Sequence, residues 1–215
     1  MVYVITAAFL QSVPALDILN ETIRALHFHV PMWFGMFILL FMAAIYSVRF
    51  LLGSRKGRGD LLHDLYAEEL SRAGVLFGVL GLVTGSIWAR YTWGDWWSGD
   101  VKQMMSALVM LLYFAYMVLR SSMPDPELRA RVSAVWNVFA FIAIYPLIIK
   151  IPNMYDSLHP GNGGNSGFVV YDKLDISLRF VFYPAVIAWT LLGLWLASMR
   201  IRGRYIIMSK LDLLS

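Results

Sequence analysis

Three stretches of this sequence hold residue types that could do chemistry. The first is Leu26-His27-Phe28-His29-Val30-Pro31. Pro31 offers no N–H to the carbonyl of His27, so the helix is predicted to kink there, with Asn20 as the N-cap of a preceding helical turn. Positions 27 and 29 point to different faces of a helix, so at most one imidazole serves a common centre. The second stretch is Trp88-Ala-Arg-Tyr-Thr-Trp-Gly-Asp-Trp-Trp-Ser-Gly-Asp100, with four of the chain's eight tryptophans in ten positions. It reads either as an interfacial aromatic belt or as a flat apolar shelf for a large planar ligand. On the second reading Gly94 and Gly99 permit tight bends, and Arg90 and Lys102 flank the shelf to meet carboxylates. The third is Tyr155-Asp-Ser-Leu-His159-Pro-Gly-Asn-Gly-Gly-Asn-Ser-Gly167, within the long connection Pro152–Asp175. Loops of that length are commonly functional or disordered; its glycines argue for mobility, and Pro160 biases His159 toward extended backbone.

These stretches must be held by elements suited to a bilayer. The chain has 215 residues, 59% hydrophobic and only 15% charged, with no cysteine. Its mean hydropathy is +0.63. A soluble domain carries roughly a quarter charged residues, so the composition points to a polytopic membrane protein. Disorder is excluded by the apolar fraction, a disulfide scaffold by the missing cysteines, and covalent c-type haem attachment by the missing Cys-x-x-Cys-His. Six apolar runs are expected to form an all-α bundle of six transmembrane helices with a Trp-rich outward loop, a single domain over 1–215. The spans are read at about 2–16, 30–52, 73–89, 101–119, 132–151 and 176–199. The first, Val2–Leu16, is short and carries Gln11, Ser12 and Pro14; it lacks the basic start and small-residue cleavage site of a signal peptide.

Orientation follows from loop charge. The segments Arg49–Arg72, Arg120–Arg131 and Arg200–Ser215 hold 12 of the 18 Lys and Arg residues. Those ends are therefore expected in the cytoplasm, together with both termini, and the loops near 17–29, 90–100 and 152–175 outside. The net charge of +4 reflects this asymmetry and no nucleic-acid surface. His63, beside Asp64 in the basic segment, is read as a solvated loop residue.

The topology thus brings two imidazole sources and the tryptophans to one outward face. Imidazole is an axial ligand of haem iron, and a porphyrin also needs apolar ring contact and cations near its propionates. Arg90, Lys102, Lys150 and Arg179 are the candidate cations.

At these residues the chain resembles the haem exporter protein C (CcmC) branch of the haem-handling family of cytochrome c maturation, from about Leu26 to Met199. The match rests on Val83-Thr-Gly-Ser-Ile-Trp88 with Trp93-Gly-Asp-Trp-Trp-Ser-Gly-Asp100, on His29-Val30-Pro31 and on Ser157-Leu158-His159. The chain departs from the family pattern at Gly99, where another Trp is usual, at Met154-Tyr155 and in its short first span. The resemblance implies that His29 and His159 ligate the iron of haem b transiently. It places Trp88, Trp93, Trp96, Trp97, Asp100, Arg90 and Lys102 around the porphyrin. It implies haem presentation, with no catalysis, at the outer face of the bacterial cytoplasmic membrane. The receiver is a periplasmic haem chaperone; ABC-type export subunits and a small single-span subunit are further partners, and no P-loop in this chain supplies the ATP step. Other readings are a cytochrome c synthase component, which would need a large outward domain, a b-type electron-transfer cytochrome, and a transporter, which would carry midplane charges or paired broken helices.

Overall fold

The computed structural model describes residues 1–14, 19–54, 61–159 and 175–210. It contains six α-helices: α1 (Val2–Leu10), α2 (Leu26–Ser54), α3 (Leu61–Trp93), α4 (Val101–Ser122), α5 (Pro126–Ile144) and α6 (Ile176–Lys210). A 3-10 turn, Asn20–Ala25, leads into α2, and α5 continues through a π-helical stretch, Tyr145–Lys150, into a 3-10 turn, Pro152–Met154. No strand occurs among the described residues. Among the described residues five helical units are long and apolar enough to cross a membrane: Asn20–Gly53, Leu61–Trp93, Val101–Ser122, Pro126–Met154 and Ile176–Lys210.

The sixth expected span is shorter than 2–16. Helix α1 has nine residues, which at a rise of 1.5 Å each cover about 14 Å of a hydrocarbon core roughly 30 Å thick. Gln11 turns extended, and Pro14 disfavours helical backbone at Val13. Residues 15–18 lie outside the described residues. Helix α1 lies against the start of α6, where the Tyr3 hydroxyl donates to the Phe180 carbonyl at 2.9 Å and the Gln11 amide donates to the Ser177 carbonyl.

The prolines inside α2 and α6 are handled in the same way. Pro31 lies inside α2 and frees the carbonyl of His27, and the indole N–H of Trp189 on α6 takes it at 3.3 Å. Pro184 inside α6 frees the carbonyl of Phe180, which is the acceptor of Tyr3. In an apolar surrounding each freed carbonyl would be costly, and each is answered from a neighbouring helix. Asn20 is not the cap: Leu19 holds that position, and Asn20 is the first residue of the 3-10 turn, at a φ of 40°.

Helix α2 is central, packing on α3, α5 and α6. Its side chains Met36, Leu39 and Leu40 form the fully buried core with Phe77 of α3 and Met110 and Tyr113 of α4. The α2–α3 contact is antiparallel and close. A Cβ at Gly74, Gly78, Gly81 or Gly85 of α3 would meet Leu40, Met36, Trp33 or His29 of α2, in that order.

Helix α3 begins at Leu61, three turns before the span expected at Ala73. The acids Asp64, Glu68 and Glu69 interrupt the apolar run in the sequence, yet the fold neutralises them. Arg120 of α4 holds both Asp64 oxygens at 2.8 and 2.6 Å and reaches Glu68 at 2.9 Å. Arg204 of α6 bridges Glu68 at 2.6 Å and Glu69 at 2.7 Å. Paired in this way the charges can be buried, and the helix continues through them. His63 is accordingly no loop residue: it lies half-buried in α3 with its ring 6.0 Å from that of Tyr46. Arg55, Lys56 and Arg58 of the basic segment, like the glycine run of 160–167 and Lys173, fall outside the described residues.

Candidate functional site

His29 stands in the first turns of α2, where its ring lies against α3. Its Nδ1 is 2.9 Å from the Gly81 carbonyl oxygen and 3.3 Å from Thr84 Oγ1. A carbonyl can only accept, so in the neutral ring Nδ1 carries the proton and Nε2 keeps its lone pair. Trp33 and Trp88 contact the ring edge-on, with centroids 6.3 and 5.8 Å away. The indole N–H of Trp88 donates in turn to Thr22 Oγ1 at 3.2 Å.

His159 is fixed by a carboxylate. Asp100, the N-cap of α4, accepts four hydrogen bonds. One oxygen takes the Lys102 N–H at 2.8 Å and His159 Nδ1–H at 2.8 Å. The other takes the Ser157 hydroxyl at 2.8 Å and the Leu158 N–H at 2.7 Å. Four donors fill the acceptor capacity of a carboxylate. One side chain thus caps a helix, folds the 157–159 turn onto it and sets the tautomer of an imidazole. Burial pushes the His159 imidazole below its ordinary 6.5, against the pull of Asp100 and with a smaller push from Lys102. Burial also opposes charge on Asp100, but the bonds from Ser157, Leu158 and Lys102 and the nearness of His159 hold its carboxyl below the ordinary range. At neutral pH the pair is therefore a neutral imidazole against a carboxylate, the arrangement that orients a metal-binding histidine and raises its basicity.

The two imidazoles line one cavity of about 300 Å³. Its walls include Trp33, Phe34 and Phe37 of α2, Gly81 and Gly85 of α3, Trp97 of the 94–100 loop, Lys102, Gln103 and Ser106 of α4, and Ile148. Neither Nε2 has a hydrogen-bond partner among the described residues. His27 is buried with an unpartnered Nδ1 and does not line this cavity.

The tryptophan-rich stretch is divided by the fold. Trp88 to Trp93 are helical, forming the last turns of α3, and only the run from Gly94 to Asp100 is a loop. Gly94 and Gly99 take φ of 91° and 74°, left-handed values suited to glycine. Trp93 packs edge-on against His159 at 4.8 Å, so the end of α3 sets one indole beside each imidazole. Trp97 faces the cavity, whereas Trp96 is 56% exposed outside it, its carbonyl held by the Ser86 hydroxyl at 2.8 Å. Arg90 donates to the Gly94 carbonyl and braces the loop. Asp100 borders a neighbouring groove with Ser157 and Leu158. Of the four candidate cations only Lys102 lines the cavity. Trp33, Phe34, Phe37, Gln103 and Ser106 were not singled out from sequence. Their signal is helical spacing: 29, 33 and 37 fall on one face of α2, and 102, 103 and 106 on one face of α4.

The family model described as Heme exporter protein C matches residues 1–212. The chain belongs to the haem exporter protein C family. Among curated relatives of that name, the protein of Bradyrhizobium diazoefficiens is 32% identical over 189 residues, covering 84% of this chain and 66% of the relative. That of Escherichia coli K12 is 24% identical over 147 residues, covering 68% of this chain and 58% of the relative. A ccmC-like mitochondrial protein of Marchantia polymorpha, named for cytochrome c biosynthesis, is 29% identical over 165 residues, 76% of this chain and 67% of the relative. The chain thus spans between 58% and 67% of the length of these three. Its donor set fits the cargo that the family's name carries. Two imidazoles with Nδ1 engaged, and with no partner of Nε2 among the described residues, face an aromatic-walled cavity, and one lysine stands at its wall.

Proposed function

We propose that this protein holds haem at the outward face of the bacterial cytoplasmic membrane and presents it to a periplasmic haem chaperone for c-type cytochrome maturation. The observation that carries the proposal is the convergence of His29 and His159, 130 positions apart, on one cavity. Haem is cargo here, an iron porphyrin that the two Nε2 atoms would ligate. Asp100 and Gly81 hold the two rings in the tautomer that leaves those atoms unprotonated. The aromatic side chains give the porphyrin apolar contact and keep bulk water from the iron, and Lys102 offers a charge for a propionate. Trp88 and Trp93 act behind the imidazoles, fixing their planes. Arg90 supports the reading as a loop brace and Trp96 as an exposed indole where a chaperone can dock.

The bundle is proposed to lie with the Trp93–Asp100 end in the periplasm and the Asp64–Arg120 end in the cytoplasm, beside ABC-type export subunits and a small single-span subunit. Charge supports this, since Arg120, Arg129, Arg131, Arg200, Arg202 and Arg204 gather at the proposed inner end. Helix α1 runs antiparallel to the first turns of α6, so on this reading it heads outward. The role is delivery: ligation and orientation of a cofactor made elsewhere. Haemin titration of the solubilised protein tests it. H29A and H159A are each expected to bind haemin more weakly than wild type, and unchanged binding in either removes that residue from the site.

A further inference from the structure

The seat of His29 is made by an absence. A Cβ built on Gly85 would stand 2.4 Å from His29 Cε1 and 2.9 Å from Nδ1. One turn earlier Gly81 offers the carbonyl that takes the Nδ1 proton at 2.9 Å, and a Cβ on Gly81 would press the Trp33 indole at 3.0 Å. His29 and Trp33 are four apart on α2, and Gly81 and Gly85 are four apart on the antiparallel α3. Two rings therefore lie across two gaps in register, and all four residues line the cavity.

We propose that Gly85 is a positioning residue for axial ligation. By lacking a side chain it lets the imidazole approach α3 until Nδ1 reaches the Gly81 carbonyl, which leaves Nε2 for the iron. The inference rests on the reading of His29 as an iron ligand. Other close glycines on the same face do not carry the same weight. A Cβ on Gly78 would meet the sulfurs of Met110 and Met36, thioether side chains that adapt by rotation. The His29 ring is rigid, hydrogen-bonded and flanked by two indoles. Moving it off α3 breaks the Nδ1 bond and shifts Nε2 together.

Four variants of the full chain, G85A, G78A, H29A and the double H29A/G85A, decide the matter in detergent with added haemin. The haemin absorption spectrum of G85A is expected to move to that of H29A, while G78A keeps the wild-type spectrum. Alanine is the better helix former, so propensity alone raises the melting temperature of G85A. The seat predicts a lower one in the wild-type background and no loss in H29A, where the added methyl has no ring to meet. A wild-type spectrum for G85A beside an altered one for H29A overturns the proposal. So does an equal loss of melting temperature in both backgrounds. An unaltered H29A spectrum instead removes His29 from the iron, and the melting cycle then still decides whether Gly85 seats the ring. Should G85A alone fail to insert, recovery of insertion in the double variant supports the seat, and failure of both contradicts it.

Discussion

At the scale of single residues, the density of bonds on Asp100 explains how a loop histidine is held in one tautomer. Its four donors leave no lone pair for anything else, and one of them is the Nδ1–H of His159. Replacement by Asn leaves one acceptor oxygen for these four donors, so the turn loosens and the tautomer is no longer specified. D100N is expected to bind haemin about 10- to 100-fold more weakly, the range seen when the partner of a metal-binding imidazole is removed. The pH profile separates this from a change in protonation. Because burial lowers His159 below 6.5, protons compete for its Nε2 only at more acid pH, and haemin binding to the wild-type protein is expected to have its acid midpoint below 6.5. Asp100 pulls the His159 value upward, so its removal moves proton competition further to the acid side. The weakness of D100N should therefore persist at pH 7.5. A D100N protein that binds as wild type does at that pH would show that the carboxylate merely caps α4.

At the scale of elements, two helices are longer than a membrane crossing requires, and one of them, α3, helps to wall the site. Helices α3 and α6 have 33 and 35 residues, against about 20 needed to cross. The surplus turns of α3 carry acids at one end and indoles at the other. Asp64 and Glu68 are buried through Arg120, whose loss would leave Asp64 without its partner in the described residues. R120M is expected to destabilise the fold by about 3–5 kcal/mol, as broken buried ion pairs do, read as a lowered midpoint of unfolding in detergent. R131A, whose partner Glu127 is 73% exposed, is expected to cost under about 1 kcal/mol. Equal effects would mean that the cluster is solvated. Hydropathy could show that helices exist here but not where they stop, because charges that find partners across the bundle look in sequence like loop residues. His63 reads as a solvated loop residue for that reason. The same reasoning missed the glycine face of α3, legible only as the spacing Gly74, Gly78, Gly81, Gly85 once an opposing helix is in register. The proline effects were half legible: the freed carbonyl of His27 follows from Pro31 alone, whereas Trp189 as its donor needs the fold.

For the whole molecule, composition and charge carried most of the reading. An apolar chain with so few charges leaves an all-α bundle as the only ordinary answer, and the gathering of His29, Trp93 and His159 at one end of that bundle follows from counting spans. What counting could not give is the shape between them, since a cavity depends on which ring leans on which helix. Orientation can be tested cleanly because the chain has no cysteine. In intact spheroplasts a membrane-impermeant maleimide is expected to label D95C in the exposed loop, and to label S121C at the far end of α4 only after lysis. The reverse pattern would place the cavity in the cytoplasm and end the delivery reading. The most direct measurement is the absorption spectrum of the detergent-purified protein with haemin. Ligation by both imidazoles predicts a six-coordinate low-spin spectrum that H29A and H159A each convert to a different coordination state. A protein that stays colourless with haemin, or whose low-spin spectrum survives both substitutions, would contradict it.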